Sequence, residues 1–362
     1  MNNFATNSQE TNQENLFWAD AVRAFAILQV IIIHVSAGII KQWGAIPQSW
    51  WLAGNIYSSL GRGCVPLFIM LSGALLLPKR ESYKDFFFKR FNRIAIPFIT
   101  WSIVFLFWRK RFGEPELTLL DAVLYVVGPG AYSYFWFLYL IVGIYLITPI
   151  FRIVIAYASK RDLSYFLSLW FIVMSVCVVI EKFGTLYLQK KLDINLPVPM
   201  AEGFIGYFVL GYFLRQYATR KLFFASVVIG LLSLLVTIVG TYFVTRHFGS
   251  YDAVFYENFM PNIIFYCCAI FVFVKNSAPL VQSQMSSGLK NLVIAVSKTS
   301  FGIYFIHPII FLSLAYRCFG FVLRPNSAHP VYMIPLITMI VFALSFCIVF
   351  LIQKIPYLKK IV

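Results

Sequence analysis

Apolar runs of about 18 residues or more recur along the whole chain, each long enough to cross a bilayer. No soluble core could bury so many. Of 362 residues, 60% are hydrophobic and 12% charged, about half the ~25% charged share of a soluble domain. The mean hydropathy is +0.79. A soluble globular enzyme, a disordered chain and a disulfide scaffold are all excluded. The expected fold is all-α, a polytopic membrane helix bundle.

About ten spans are expected, near residues 17–40, 56–77, 94–108, 132–150, 163–181, 201–214, 222–244, 258–275, 299–319 and 331–352. The spans at 94–108 and 201–214 are short. Residues 117–128 form an apolar stretch of only about 12 residues, closed by Gly128-Pro129-Gly130. That length suits an interfacial or re-entrant piece. No inverted repeat or linker divides the chain, so a single transmembrane domain over 17–352 is expected. A polar tail, 1–16, precedes it and a short tail, 353–362, follows. The N-terminal tail carries Glu10 and Glu14 and lacks the basic region of a cleavable signal.

The formal net charge of +16 would suggest nucleic acid in a soluble domain. Here the basic residues cluster between apolar runs, which reads as orientation by the positive-inside rule. With both ends cytoplasmic, inside loops hold 18 Lys and Arg and outside loops hold 9. The Arg109–Arg111 cluster counts against that topology. A nucleic-acid partner is not expected. The six cysteines form no CxxC and lie in apolar segments, where they pack as small hydrophobes.

Ionisable groups inside spans are costly and so are functional candidates by default. The first span reads Asp20-Ala21-Val22-Arg23, and His34 follows after ten more residues. Eleven residues make about three helical turns, so Arg23 and His34 share a face some 16 Å apart. The second span contains Arg62, within Gly61-Arg62-Gly63-Cys64-Val65-Pro66. Counted from the outer ends, Arg62 and His34 lie at about one depth. A fixed cation there favours a neutral imidazole, the form a base requires. His307 lies near the middle of the ninth span. Each has a plainer reading: Arg23 snorkelling to headgroups, Arg62 neutralised by carbonyls near Pro66, and both histidines packing between helices.

The run Lys89-Arg90-Phe91-Asn92-Arg93 is a dense cationic patch. It suits anionic lipid or the phosphates of a cytoplasmic ligand, since Arg binds phosphate bidentately. GxSxG, Walker A, HExxH and GxGxxG motifs are all missing. No cluster of metal ligands is present, and no metal is expected.

Taken together and in order, these motifs resemble acyltransferase family 3, the integral membrane acyltransferases. The resemblance rests on Asp20, Arg23 and His34, on Arg62 with Val65-Pro66-Leu67-Phe68-Ile69-Met70-Leu71-Ser72-Gly73, and on Arg90 and Arg93 running into Pro97. Trp136-Phe137-Leu138, Tyr145-Leu146-Ile147-Thr148-Pro149 and Gly302-Ile303-Tyr304-Phe305-Ile306-His307 extend it. The spacing is similar to that of bacterial inner-membrane O-acetyltransferases of surface polysaccharides. One departure is Tyr134, where relatives often place a histidine. A C-terminal extracellular hydrolase-like domain carried by some relatives is also not expected.

The resemblance implies transfer of an acetyl group from cytoplasmic acetyl-CoA to a hydroxyl of a cell-surface polysaccharide or lipid-linked glycan. By it, Arg23, Arg90 and Arg93 hold CoA phosphates and His34 is the general base. Arg62 stabilises the oxyanion, while His307 relays a proton or orients the acceptor. Direct and acyl-enzyme transfer both stay open, as do acetyl and succinyl donors. The competing class is a transporter or flippase of a lipid-linked glycan or anionic solute, which the scarcity of carboxylates within the spans disfavours. A sensor module is a third reading.

Overall fold

The computed structural model describes residues 16–112, 116, 118–127, 133–188, 203–318 and 320–362. The N-terminal tail up to residue 15, Gly128-Pro129-Gly130, Lys190, Lys191 and Glu202 lie outside the described residues. Among the described residues all regular structure is helical. The main helices are α1 Phe17–Ile40, α2 Gln48–Gly61, α3 Cys64–Leu76, α4 Tyr83–Phe112, α5 Leu119–Val127, α6 Trp136–Tyr157 and α7 Lys160–Phe171. A π-turn at Ile172–Val176 leads into α8 Cys177–Leu188. The chain continues with α9 Ile205–Tyr217, α10 Phe223–Phe248, α11 Pro261–Gln284, α12 Ser287–Ala315 and α13 Pro330–Lys354.

Nine helical stretches among the described residues are long and apolar enough to cross a membrane. The first is α1 and the eighth is α12, so strict alternation would set those two antiparallel. They are parallel. Arg23 of α1 bonds Ser297 of α12, and eleven residues later His34 meets His307, ten residues beyond Ser297. One more reversal is therefore needed, and among the described residues α9 supplies it. Its thirteen residues span only about 20 Å, too short to count among the nine. It runs antiparallel to α7, with Lys160 over the Tyr217 ring at one end and Trp170 against Tyr207 at the other. With α9 added to the nine, the described residues hold ten helices placed to cross, against about ten expected from the sequence.

Where the helices begin and end differs from the sequence expectation. The span expected at 94–108 is the apolar part of α4, which begins at Tyr83. Ser82 Oγ caps its start, accepting from the Asp85 N–H and donating to the Asp85 carboxylate, and nothing from there to Ile96 breaks a helix. Lys89, Arg90 and Arg93 thus lie on a helix and not in a loop. Lys275 and Lys298 likewise fall inside α11 and α12. The span expected at 56–77 begins at Gln48 and is interrupted at Arg62-Gly63. Cys318, in the turn after α12, and Cys347 are exposed, unlike the buried Cys64, Cys177 and Cys267.

Packing divides the chain into two compact units, residues 1–75 with 158–347, and residues 76–157 with 348–362. The core of the first unit is α1 with α2, α11 and α12. Val22, Ala26, Ile27 and Ile31 of α1 are buried there with Ile263, Phe271, Ile303 and Phe305. Two glycines let α3 and α9 touch backbone to backbone. A Cβ on Gly73 would lie 1.7 Å from the Phe208 carbonyl oxygen, and one on Gly211 would lie 1.9 Å from that of Met70.

In the second unit α4 and α6 are antiparallel. Phe86 meets Tyr145 and Phe105 meets Phe135, and the Trp101 indole donates to the Ile361 carbonyl.

Candidate active site

The break between α2 and α3 puts irregular backbone at membrane depth, tolerable only where protein groups satisfy it. The Leu60 carbonyl takes the place of acceptor here, receiving Gln29 Nε2–H at 2.7 Å and the Tyr266 hydroxyl at 3.0 Å. Gly61 lets α1 approach, since a Cβ there would lie 2.9 Å from Ile33 Cβ and 3.0 Å from the Gln29 carbonyl oxygen. The break therefore lies beside α1 one turn before His34. The Arg62 guanidinium donates to Ser58 Oγ at 2.9 Å, covers the Tyr256 ring and lies within electrostatic reach of His34.

His34 Nδ1 is 2.8 Å from His307 Nε2. The ring planes differ by 4° and the centroids are 5.1 Å apart. That separation is the nitrogen–nitrogen distance plus one ring radius at each end, so the rings lie end to end in one plane. His307 Nδ1 is 3.0 Å from the Ile303 carbonyl oxygen. A carbonyl can only accept, so His307 carries its proton on Nδ1 and, when neutral, a lone pair on Nε2. His34 must then donate Nδ1–H to it, which leaves the His34 lone pair on Nε2. His307 is 1% exposed.

At the other end of the same two helices, Arg23 donates to Ser297 Oγ at 2.8 Å and pairs with Asp20 at 3.4 Å, while Ser297 donates to Asp20. This cluster is half-buried.

In the second unit, Arg90 and Arg152 bracket Glu81 at 2.8 and 3.0 Å, and both guanidiniums cover the buried Phe86 ring. The hydrogen bond from Arg90, aided by that from Arg152 and opposed by partial burial, holds the Glu81 carboxyl down at about 2. Arg93 lies exposed on α4 one turn further along.

A model of the acyltransferase family 3 domain matches residues 16–354. The chain belongs to acyltransferase family 3. Nearly all of it is that domain, so this member of acyltransferase family 3 is a multi-pass membrane acyltransferase. Searches of curated proteins and of solved structures returned no match.

Of the residues singled out in the sequence, the structure joins His34 to His307 and brings Arg62 near them. Arg23 belongs to the first unit, and Arg90 and Arg93 belong to the second. Sequence reasoning missed Gln29, Ser297, Tyr256 and Glu81. Gln29 alone carried a signal, as a polar residue buried in an apolar span. Ser297, Tyr256 and Glu81 are unremarkable residue types at their positions, and only their tertiary neighbours mark them. No group of three or more metal-ligating side chains occurs among the described residues.

Proposed function

We propose that the chain transfers an acetyl group from cytoplasmic acetyl-CoA to a hydroxyl of a cell-surface polysaccharide or lipid-linked glycan in a bacterial inner membrane. The observation that carries the chemistry is the His34–His307 bond, whose direction leaves Nε2 of His34 as the proton acceptor.

His34 Nε2 takes the acceptor hydroxyl's proton as its oxygen attacks the thioester carbonyl carbon. Such proton transfer contributes typically 10²–10⁴-fold. Arg62 stabilises the negative charge that develops on the carbonyl oxygen, an interaction worth more where water is excluded. The intermediate collapses by breaking the carbon–sulfur bond, and the proton held on His34 goes to the departing CoA thiolate. His307 takes part by accepting from His34 Nδ1–H throughout, which stabilises the imidazolium and fixes its orientation.

Arg23, Arg90 and Arg93 are the proposed partners of the CoA phosphates. Arg93 is exposed, whereas Arg90 is already joined to Glu81.

The test is incorporation of labelled acetyl from acetyl-CoA into isolated membranes bearing the wild-type chain or His34→Ala. Incorporation should fall by about 10²-fold or more while the variant still binds acetyl-CoA. A folded His34→Ala chain with full incorporation would sink the assignment.

A further inference from the structure

Arg62 brings a charge midway along the apolar stretch Gln48–Leu76, and among the described residues no carboxylate pairs with it. The glycines on either side, Gly61 and Gly63, give it no side-chain wall. Its support comes from elsewhere. The guanidinium carbon stands 3.9 Å from the centre of the Tyr256 ring. Nη2 donates to Ser58 Oγ, and Tyr251 lies within electrostatic reach of the guanidinium. Its Nε–H is buried with no acceptor among the described residues. A guanidinium held by a ring face and a hydroxyl oxygen keeps its charge available, unlike one neutralised by a carboxylate.

Tyr256 is itself held firmly. It is 3% exposed, and its hydroxyl donates to the side-chain oxygen of Asn55. The Asn55 amide in turn donates to the Ile238 carbonyl at 2.9 Å. Around it, Asn262 Nδ2 bonds both Thr237 Oγ1 and the Phe255 carbonyl at 2.8 Å. Phe255 packs on Gly240, where a Cβ would come within 2.7 Å of its ring. The Val254 N–H is received by Asp252 at 2.7 Å. The ring is thus fixed by α10 and α11 on one side and, through Asn55, by α2, whose end carries Arg62.

We infer that Tyr256 is a positioning residue for the transfer: its ring, tethered through Asn55, holds the Arg62 guanidinium beside His34, where charge develops. This rests on the reading of Arg62 as the group that stabilises the oxyanion.

The experiment is a double-mutant cycle with Tyr256→Leu and Arg62→Gln, reading kcat and the acetyl-CoA KM from labelled acetyl incorporation into isolated membranes. Tyr256→Leu should lower kcat by about 10²-fold, the scale of a misplacement near 1 Å, and leave KM unchanged. Tyr256→Phe, which keeps the ring face, should stay within about fivefold of wild type, and in the Arg62→Gln background Tyr256→Leu should cost less than about twofold. A full loss from Tyr256→Leu in both backgrounds overturns the positioning role alone. Full activity in Arg62→Gln overturns the reading of Arg62, and the positioning role with it. Should Tyr256→Leu fail to fold, Tyr256→Phe carries the cycle, since it cuts the tether to Asn55. A several-fold loss that vanishes with Arg62→Gln is then expected, and equal losses in both backgrounds overturn the proposal.

Discussion

His34 and His307 meet end to end across 2.8 Å, and a backbone carbonyl decides which way the proton in that bond points. Ile303 lies one turn before His307 on the same helix, and its oxygen claims His307 Nδ1–H. Every later proton position follows from that contact. The same logic holds for any base whose tautomer is set by the partner of its second nitrogen.

The substitution that separates orientation from bulk is at His307. His307→Gln keeps an acceptor for His34 Nδ1–H and a donor for Ile303, so it should retain transfer to within about tenfold of wild type. His307→Leu leaves His34 without that acceptor and should fall by about 10³-fold, on the scale of losing a base's tautomer. Initial rates of acetyl incorporation distinguish them. Equal losses in the two variants would show that the bond does not orient His34.

Glu81 predicts a pH effect on the second unit. Its carboxyl titrates at about 2 in the folded protein against an ordinary value of 4.5. The folded state therefore binds fewer protons in this range, and the contribution of Glu81 to stability is complete above about 4.5. It is lost as pH falls from there through about 2. Thermal unfolding in detergent should place Glu81→Gln below wild type at neutral pH, with the gap closing through that window. A gap that stays constant down to the acid end would overturn the Arg90–Glu81–Arg152 account.

The two α4 arginines should behave differently toward acetyl-CoA. Arg93→Ala should raise the Kd about 5- to 10-fold, the weight of one charge-assisted contact to phosphate, without changing the unfolding midpoint. Arg90→Ala should lower that midpoint as well, because Glu81 loses a partner. Calorimetric titration beside thermal scans reads both, and an Arg93→Ala chain that binds acetyl-CoA as well as wild type removes Arg93 from the donor site.

Gly211 tests the backbone contact that seats the short crossing. Gly211→Ala forces a Cβ to within 1.9 Å of the Met70 carbonyl oxygen. Overpacking of this kind costs about 1–3 kcal/mol, or more where backbone must move. A lowered unfolding midpoint is expected, whereas Gly143→Ala, which meets nothing within 4 Å, should leave it unchanged.

Much of the fold could be read from residue order. Hydropathy alone determines that these segments cross a membrane, because each backbone polar group must be satisfied within its own helix there. The Arg23 and His34 spacing places both side chains on one face of α1, because helical periodicity is local. The family motifs, too, are patterns of neighbours in sequence. Helix ends were less legible. Charged residues such as Lys89 and Arg93 mark the edge of a membrane span but do not stop a helix.

What only the tertiary structure decided is which side chains meet across hundreds of residues. Nothing in the sequence pairs His34 with His307 or brings Tyr256 over Arg62. The direction of the histidine bond needed a third group, the Ile303 carbonyl, at a distance fixed by packing. Hydrophobicity is non-directional, so it commits segments to the membrane without choosing their neighbours. Hydrogen bonds and close glycine contacts are directional and short-ranged, and in this acyltransferase they set the register from which its chemistry follows.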